Sequence, residues 1–149
     1  MLVKIVAIRS EDALMTEAHA LRHDVFVVEQ GVPEQLEVDK DDKIATHLVA
    51  LSGGRVVGTL RIVPHGRTAK IGRMAVSASR RKNGIGRDLM EFAALTAAQE
   101  GVERIVLNAQ VSARDFYARL GYVEEGTLFE DAGIPHVRMG KNLLAERRR

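Results

Sequence analysis

The residues best suited to chemistry begin at Arg81. The run Arg81-Lys82-Asn83-Gly84-Ile85-Gly86-Arg87 sets two glycines among cations, with Arg80 just before it. A polar loop that opens a helix near Gly84 presents that helix's unpartnered first N–H groups to an anion, and the helix dipole adds roughly half a positive charge there. The glycines let phosphate oxygens approach the backbone, so the cradle suits a pyrophosphate with a further phosphate nearby. It is not a P-loop, which ends in Gly-Lys-Ser/Thr, and it is not a dinucleotide fingerprint, which needs a third glycine. By itself the run also fits a glycine turn beside a solvated basic face.

Two other constellations invite chemistry. The stretch Glu34, Glu37, Asp39, Asp41 and Asp42 is relieved only by Lys40 and Lys43. As a calcium loop counted from Asp39 it fails, because Lys43, Ile44 and Ala50 stand where a ligand, a glycine and a glutamate are required. It reads as a solvated loop or as an attractor for a cationic amine. His19 and His23 sit four apart on a helix, but no glutamate lies between them and no third ligand is evident, so no metal site is expected.

A phosphate cradle needs a strand before it and a helix after it, and both are legible. Ala69 to Val76 is a β-rich run, and Ile85, Leu89, Phe92, Ala93 and Thr96 mark one face of a helix that ends near Gly101. Upstream, Leu2 to Ile8 reads as a strand. Ser10 is then the expected N-cap of a helix carrying Leu14, Ala18, Leu21 and Val25, whose signal fades after Val28 and is broken by Gly31 and Pro33. Thr46 to Ser52 and Arg55 to Val63 flank Gly53-Gly54, a tight-hairpin turn, and Pro64, His65 and Gly66 lead into the Ala69 run, completing an antiparallel meander. Ile105 to Leu107 is a short buried-type strand. Ser112 and Asp115 resemble a capping box for a helix with Ala113, Phe116, Tyr117 and Leu120 on its inner face, stopped by Gly121. Strands around Tyr122 to Glu125 and His136 to Asn142 close the chain. The expected fold is α/β (α+β): one domain over residues 1–149, with a mixed, mostly antiparallel sheet of about seven strands flanked by helices.

Composition narrows the function classes. Apolar residues make up 46% and charged residues 28% of the 149, which is ordinary globular composition. No apolar run approaches the roughly 20 residues of a membrane helix, and no signal peptide is apparent, so a cytoplasmic protein is expected. Cysteine is absent, which excludes disulfides, thiolate metal sites and a cysteine nucleophile. The net charge of +2 owes much to the tail Arg147 to Arg149, and aromatics are 4% with no tryptophan, so nucleic acid is not an expected partner.

Met74-Ala75-Val76 precedes the cradle at a strand end, Asn108 follows at the end of the next strand, and Ala113-x-x-Phe116-Tyr117-x-x-x-Gly121-Tyr122 comes after. This order of motifs resembles the GNAT superfamily of acyltransferases, with Tyr122 where Phe is more usual. Arg22-x-x-x-Phe26-x-x-Glu29-Gln30, the loop to Asp42 and Gly133-Ile-Pro-His136 are similar to its YjcF-like and ElaA-like subgroup. The resemblance implies a sheet whose central parallel strands splay around acetyl-CoA. The backbone of Met74, Ala75 and Val76 would bond the pantetheine arm, residues Arg81 to Arg87 (Lys82, Asn83, Gly84, Ile85 and Gly86 between them) would hold the pyrophosphate, and Asn108 and Phe116 would complete the cofactor site.

Acyl transfer to an amine needs a neutral amine, stabilisation of the carbonyl oxygen's developing charge, and a proton for the departing thiolate. Tyr117 is the candidate acid, although periodicity alone reads it as a core tyrosine. An alkyl ammonium with a pKa near 10.4 is only about one part in two thousand neutral at pH 7, so a base is expected, with Glu29 favoured and Asp39 second. Phe26, Gln30 and His47 are candidate acceptor contacts. His136 could also line that pocket, and a structural histidine is the alternative for both imidazoles. The expected activity is acetyl-CoA-dependent N-acetylation of a small-molecule or protein amine by direct attack in a ternary complex. The alternatives are a non-catalytic CoA-binding or sensing protein and an enzyme similar to the acyl-homoserine-lactone synthases. A homodimer is the general expectation for assembly.

Overall fold

A computed structural model of the chain describes residues 2–144, so the basic tail read from the sequence lies outside the described residues. Strand β1 (Lys4–Ile8) leads into α1 (Met15–Arg22), which runs on as a π-helical turn, His23–Glu29. After α2 (Glu34–Glu37) and a 3-10 turn (Lys40–Lys43) come β2 (Thr46–Ser52), β3 (Arg55–His65) and β4 (Thr68–Val76). Then follow α3 (Ile85–Gln99), β5 (Arg104–Gln110), α4 (Arg114–Arg119), β6 (Val123–Asp131) and β7 (Ile134–Asn142). The described residues form a seven-stranded sheet in the order β1-β2-β3-β4-β5-β7-β6.

The inner strands are apolar on both faces because helices cover both. Leu48, Ala50, Leu60 and Ile62 meet Leu89, Met90, Ala93 and Ala97 of α3 in one core, while Val49 meets Ile8, Met15 and Ala18 on the α1 side. Gly58 sets how closely α3 approaches. A Cβ at Gly58 would stand 2.9 Å from Ile85 Cγ2 and 3.1 Å from Leu89 Cδ1, so its absence lets the helix close on β3.

The Gly53-Gly54 hairpin forms as read, both residues being left-handed at φ 58° and 80°. A second two-residue hairpin joins β6 to β7 through Ala132 (φ 52°) and Gly133 (φ 76°), so β6 extends to Asp131 rather than ending near Glu125. Neither expected serine cap is present. Asp12 Oδ1 accepts from the Leu14 N–H at 2.9 Å, while Ser10 Oγ turns to the Lys43 carbonyl at 3.3 Å. Ser112 lies in a 3-10 turn, Val111–Ala113, ahead of α4, which has no side-chain cap.

What positions the site is the break between β4 and β5. They run parallel and pair only from Thr68/Arg104 to Ile71/Leu107. Beyond that point β5 continues against β7, while β4 stays with β3 through a register break, with Arg73 bulged at φ 54°. Each strand keeps an antiparallel partner on its far side, so the gap opens without orphaning a whole edge.

Candidate active site

A cleft of about 290 Å³ opens at the break, lined on the β4 and β5 side by Met74 and Asn108. Tyr117 of α4, Phe26 and Gln30 of the π-helical turn, and His136 of β7 also face it. Gln110 Nε2 donates to Gln30 Oε1 at 2.9 Å, tying β5 to the π-helical turn across the cleft.

At the end of β4 the chain enters the basic loop. Lys82 and Gly84 take left-handed backbone at φ 69° and 82°, and the Gly84 carbonyl accepts from the Asp88 N–H at 3.0 Å. The N–H groups of Ile85, Gly86 and Arg87 come before that first bond and point out of the helix start. Lys82, Asn83 and Arg87 are exposed beside them. A Cβ on Gly86 would lie 3.5 Å from Phe116 Cζ and 3.7 Å from Met74 Cε, so these two side chains wall the apolar side of the cradle.

Arg81 is spoken for. Its guanidinium grips both Glu29 carboxylate oxygens at 2.6 and 2.7 Å and donates from Nε to the Val76 carbonyl at 3.1 Å. The Arg81 hydrogen bonds hold the Glu29 carboxyl below the usual range, and the residue expected as the favoured base is paired with Arg81 and is not among the residues that line the cleft. Asp39, the second candidate, is engaged likewise and is not among the lining residues: Arg61 bonds both its oxygens at 2.7 and 3.1 Å, its carboxyl is held low, and it caps the 3-10 turn through the Asp41 N–H. His47 does not line the cleft. It is buried on β2 with Nε2 bonded to the Asp42 carbonyl at 2.9 Å, and burial pushes its imidazole below the ordinary range.

Three carboxylates of the acidic stretch, Glu37, Asp39 and Asp42, are paired with arginines, while Glu34 stays solvated. Arg22, 1% exposed, bonds Glu37 through Nε and Nη2 and Asp42 through Nη1 at 2.7 Å. Arg61 bridges Asp39 and Asp42, and Arg73, at the β4 bulge, reaches Glu37 and Asp39. Burial works to raise the Asp42 carboxyl, but the bonds and charge of Arg22 outweigh it and hold it far below the carboxylate range. The loop over the cleft is thereby tied to α1, β3 and β4.

Tyr117 packs edge-on against Phe116 at 5.0 Å, and burial pushes its phenol up to about 12. Its hydroxyl has no hydrogen-bond partner among the described residues, which leaves it available to a ligand in the cleft. His136 was the less favoured imidazole in the sequence, yet it is the one on the cleft. It is 9% exposed, stacks on Phe129 at 5.8 Å, and lies opposite Gln110 in the β5/β7 register. Its Nδ1 is 2.6 Å from the Ile134 carbonyl.

Comparison with known proteins agrees with this geometry. Residues 9–143 match the model of the acetyltransferase (GNAT) domain. The chain is 36% identical over 141 residues to YjcF of Bacillus subtilis, an uncharacterized N-acetyltransferase, covering 94% of this chain and all of the relative. It is 30% identical over 130 residues to the protein ElaA of Escherichia coli, covering 83% of this chain and 84% of ElaA. The crystal structure of an acyl-CoA N-acyltransferase from Pseudomonas aeruginosa superposes with a TM-score of 0.85 at 30% identity, covering 94% of this chain and 99% of that one. A sheet that parts beside a helix start, in a chain so related, has one reading: this protein belongs to the GNAT acetyltransferase family, in the subgroup of YjcF and ElaA, and is an acyltransferase.

Proposed function

We propose that the protein transfers the acetyl group of acetyl-CoA to a primary amine by direct attack, with both substrates bound at once. The observation that carries this reading is the open helix start at Gly84 to Arg87, walled by Met74 and Phe116, next to a cleft at the β4/β5 break that Met74 and Tyr117 line. These residues fit the cofactor. The N–H groups of Ile85, Gly86 and Arg87, with Lys82 and Asn83, would hold the pyrophosphate, and the backbone of Met74 to Val76 with Asn108 would hold the pantetheine arm. Bound there, acetyl-CoA supplies a thioester. Glu29 and the pyrophosphate compete for Arg81.

Tyr117 faces the leaving-group side. With its phenol at about 12 and a thiol near 8.5, outright transfer of its proton lies uphill by about 5 kcal/mol. Its part is therefore to donate a hydrogen bond as charge grows on sulfur, and to pass on a proton that the nitrogen gives up. The absence of cysteine in the chain supports direct attack over a cysteine acyl-enzyme. The acceptor enters from the side of Phe26 and Gln30.

The test is thiol release from acetyl-CoA over a panel of amines. Amine-dependent release by the wild type supports the reading. CoA binding with no release across the panel refutes it in favour of a binding protein.

A further inference from the structure

We propose that His136 is the general base, taking the acceptor's ammonium proton at Nε2; the assignment rests on the acyl-transfer reading above. The Ile134 carbonyl can only accept a hydrogen bond, so the contact of 2.6 Å places the ring hydrogen on Nδ1 and the lone pair on Nε2. That tautomer is imposed by the backbone at the start of β7, two residues away. Phe129 stacks on the ring at 5.8 Å with planes 24° apart, which fixes its tilt.

The position is on the acceptor side. Side chains alternate along β5, and Ile105, Leu107 and Ala109 belong to the core that contains α3. Asn108 and Gln110 therefore face the other way, and His136 is the register partner of Gln110 on that face. Gln110 reaches Gln30, so His136 stands beside the π-helical turn that walls the acceptor entrance.

The other titratable and charged groups of the cleft are less fitted to the task. Glu37 is buried in its pairing with Arg22 and Arg73. Arg73 and Lys70 are cations, Tyr117 keeps its proton, and Asp131 stands exposed at the hairpin end. Arg138, on the same strand, is exposed and points its Nε toward Glu125.

The step balances without a further reactant. The ammonium gives one proton to Nε2, which passes it to solvent. The freed nitrogen pair forms the C–N bond, the C–S bond breaks with its pair on sulfur, and the second nitrogen proton ends on sulfur by way of Tyr117. The products are an amide and a thiol.

The experiment compares wild type with His136→Asn, which keeps a donor for the Ile134 carbonyl and removes Nε2, and with His136→Ala. At pH 7 both should lose about 100-fold or more in kcat/KM, the usual contribution of a general base, with CoA affinity and melting temperature of the Asn variant close to wild type. The deficit should shrink as pH rises toward 10, where the amine is itself neutral, and should be small with trifluoroethylamine, an amine neutral at pH 7. A deficit independent of pH and of amine basicity would make His136 structural and overturn the proposal. So would full activity in the Asn variant. A wild type that binds CoA but releases no thiol with any amine would instead overturn the acyl-transfer reading, and this assignment with it.

Discussion

Arg22→Met removes the buried guanidinium that holds Glu37 and Asp42 while keeping most of the aliphatic stem, so it isolates the charge. Breaking a buried pair by removing one partner costs about 3–5 kcal/mol, because a charge is left uncompensated. Here the loss should lie near the lower end, about 3 kcal/mol, since Arg73 still reaches Glu37 at 3.3 Å and Arg61 still reaches Asp42 at 3.1 Å. In urea, with a slope of about 2 kcal/mol per molar, the midpoint should fall by about 1.5 M. The sign with pH is fixed as well. The folded Asp42 carboxyl lies below its unfolded value, so its contribution is complete above about pH 3.9 and is lost as pH falls through the lower folded value. The variant's carboxyl lacks Arg22, so its stability should fall less steeply below pH 4, and the gap from wild type should narrow. A loss under 1 kcal/mol at pH 7, or a gap that widens in acid, would refute this account of the network.

Gly58→Ala should lower stability by about 1–3 kcal/mol in thermal melts, because the added carbon meets Ile85 and Leu89 at the start of α3. Its affinity for CoA should fall too, as the helix start shifts. Tyr117→Phe should reduce turnover at least about tenfold with little change in calorimetric CoA affinity, since only the leaving-group contact is lost. Glu29→Gln should tighten CoA binding by up to about fivefold, the value of an exposed ion pair, by releasing Arg81; weaker binding would show that Glu29 does not compete. His47 adds an acid sensitivity to folding. Its folded value is depressed by burial, so stability should begin to drop as pH falls below about 6.5, and His47→Gln should remove that first phase from a pH series of melts.

The legible parts of the fold were those set by local pattern. The Gly53-Gly54 turn, the β-rich runs around it and the stripe of α3 all reflect burial of residues close in sequence. The β6/β7 hairpin escaped notice because Ala132 carries no left-handed signal, and the serine caps failed because nearby aspartate and turn geometry outcompeted them. The acidic loop looked solvated because its partners, Arg22, Arg61 and Arg73, are distant in sequence. In the site, the cradle, Asn108 and Tyr117 could be read from ordered motifs. The sequence ranked His47 ahead of His136, and the cleft reverses that order. Both lie on strands, and only the placement of β7 beside β5, out of chain order, sets His136 opposite Gln110, while His47 sits on β2, two strands from β4 and outside the cleft lining.

The short β4/β5 pairing also bears on how the molecule assembles. Strands β1 to β4 lie side by side in chain order, with α1 between β1 and β2, and β6 and β7 form a hairpin that lies against β5, so each half of the sheet rests on antiparallel ladders. The halves are joined by four residue pairs that require the whole α3 crossover to close. Loop closure of that length delays contact, so docking of the two halves should be the late event in folding. Amide exchange should accordingly be faster at Thr68 to Ile71 on the β5 side than in the β2/β3 ladder, and CoA, if it binds along this seam as proposed, should act as a rivet that slows it.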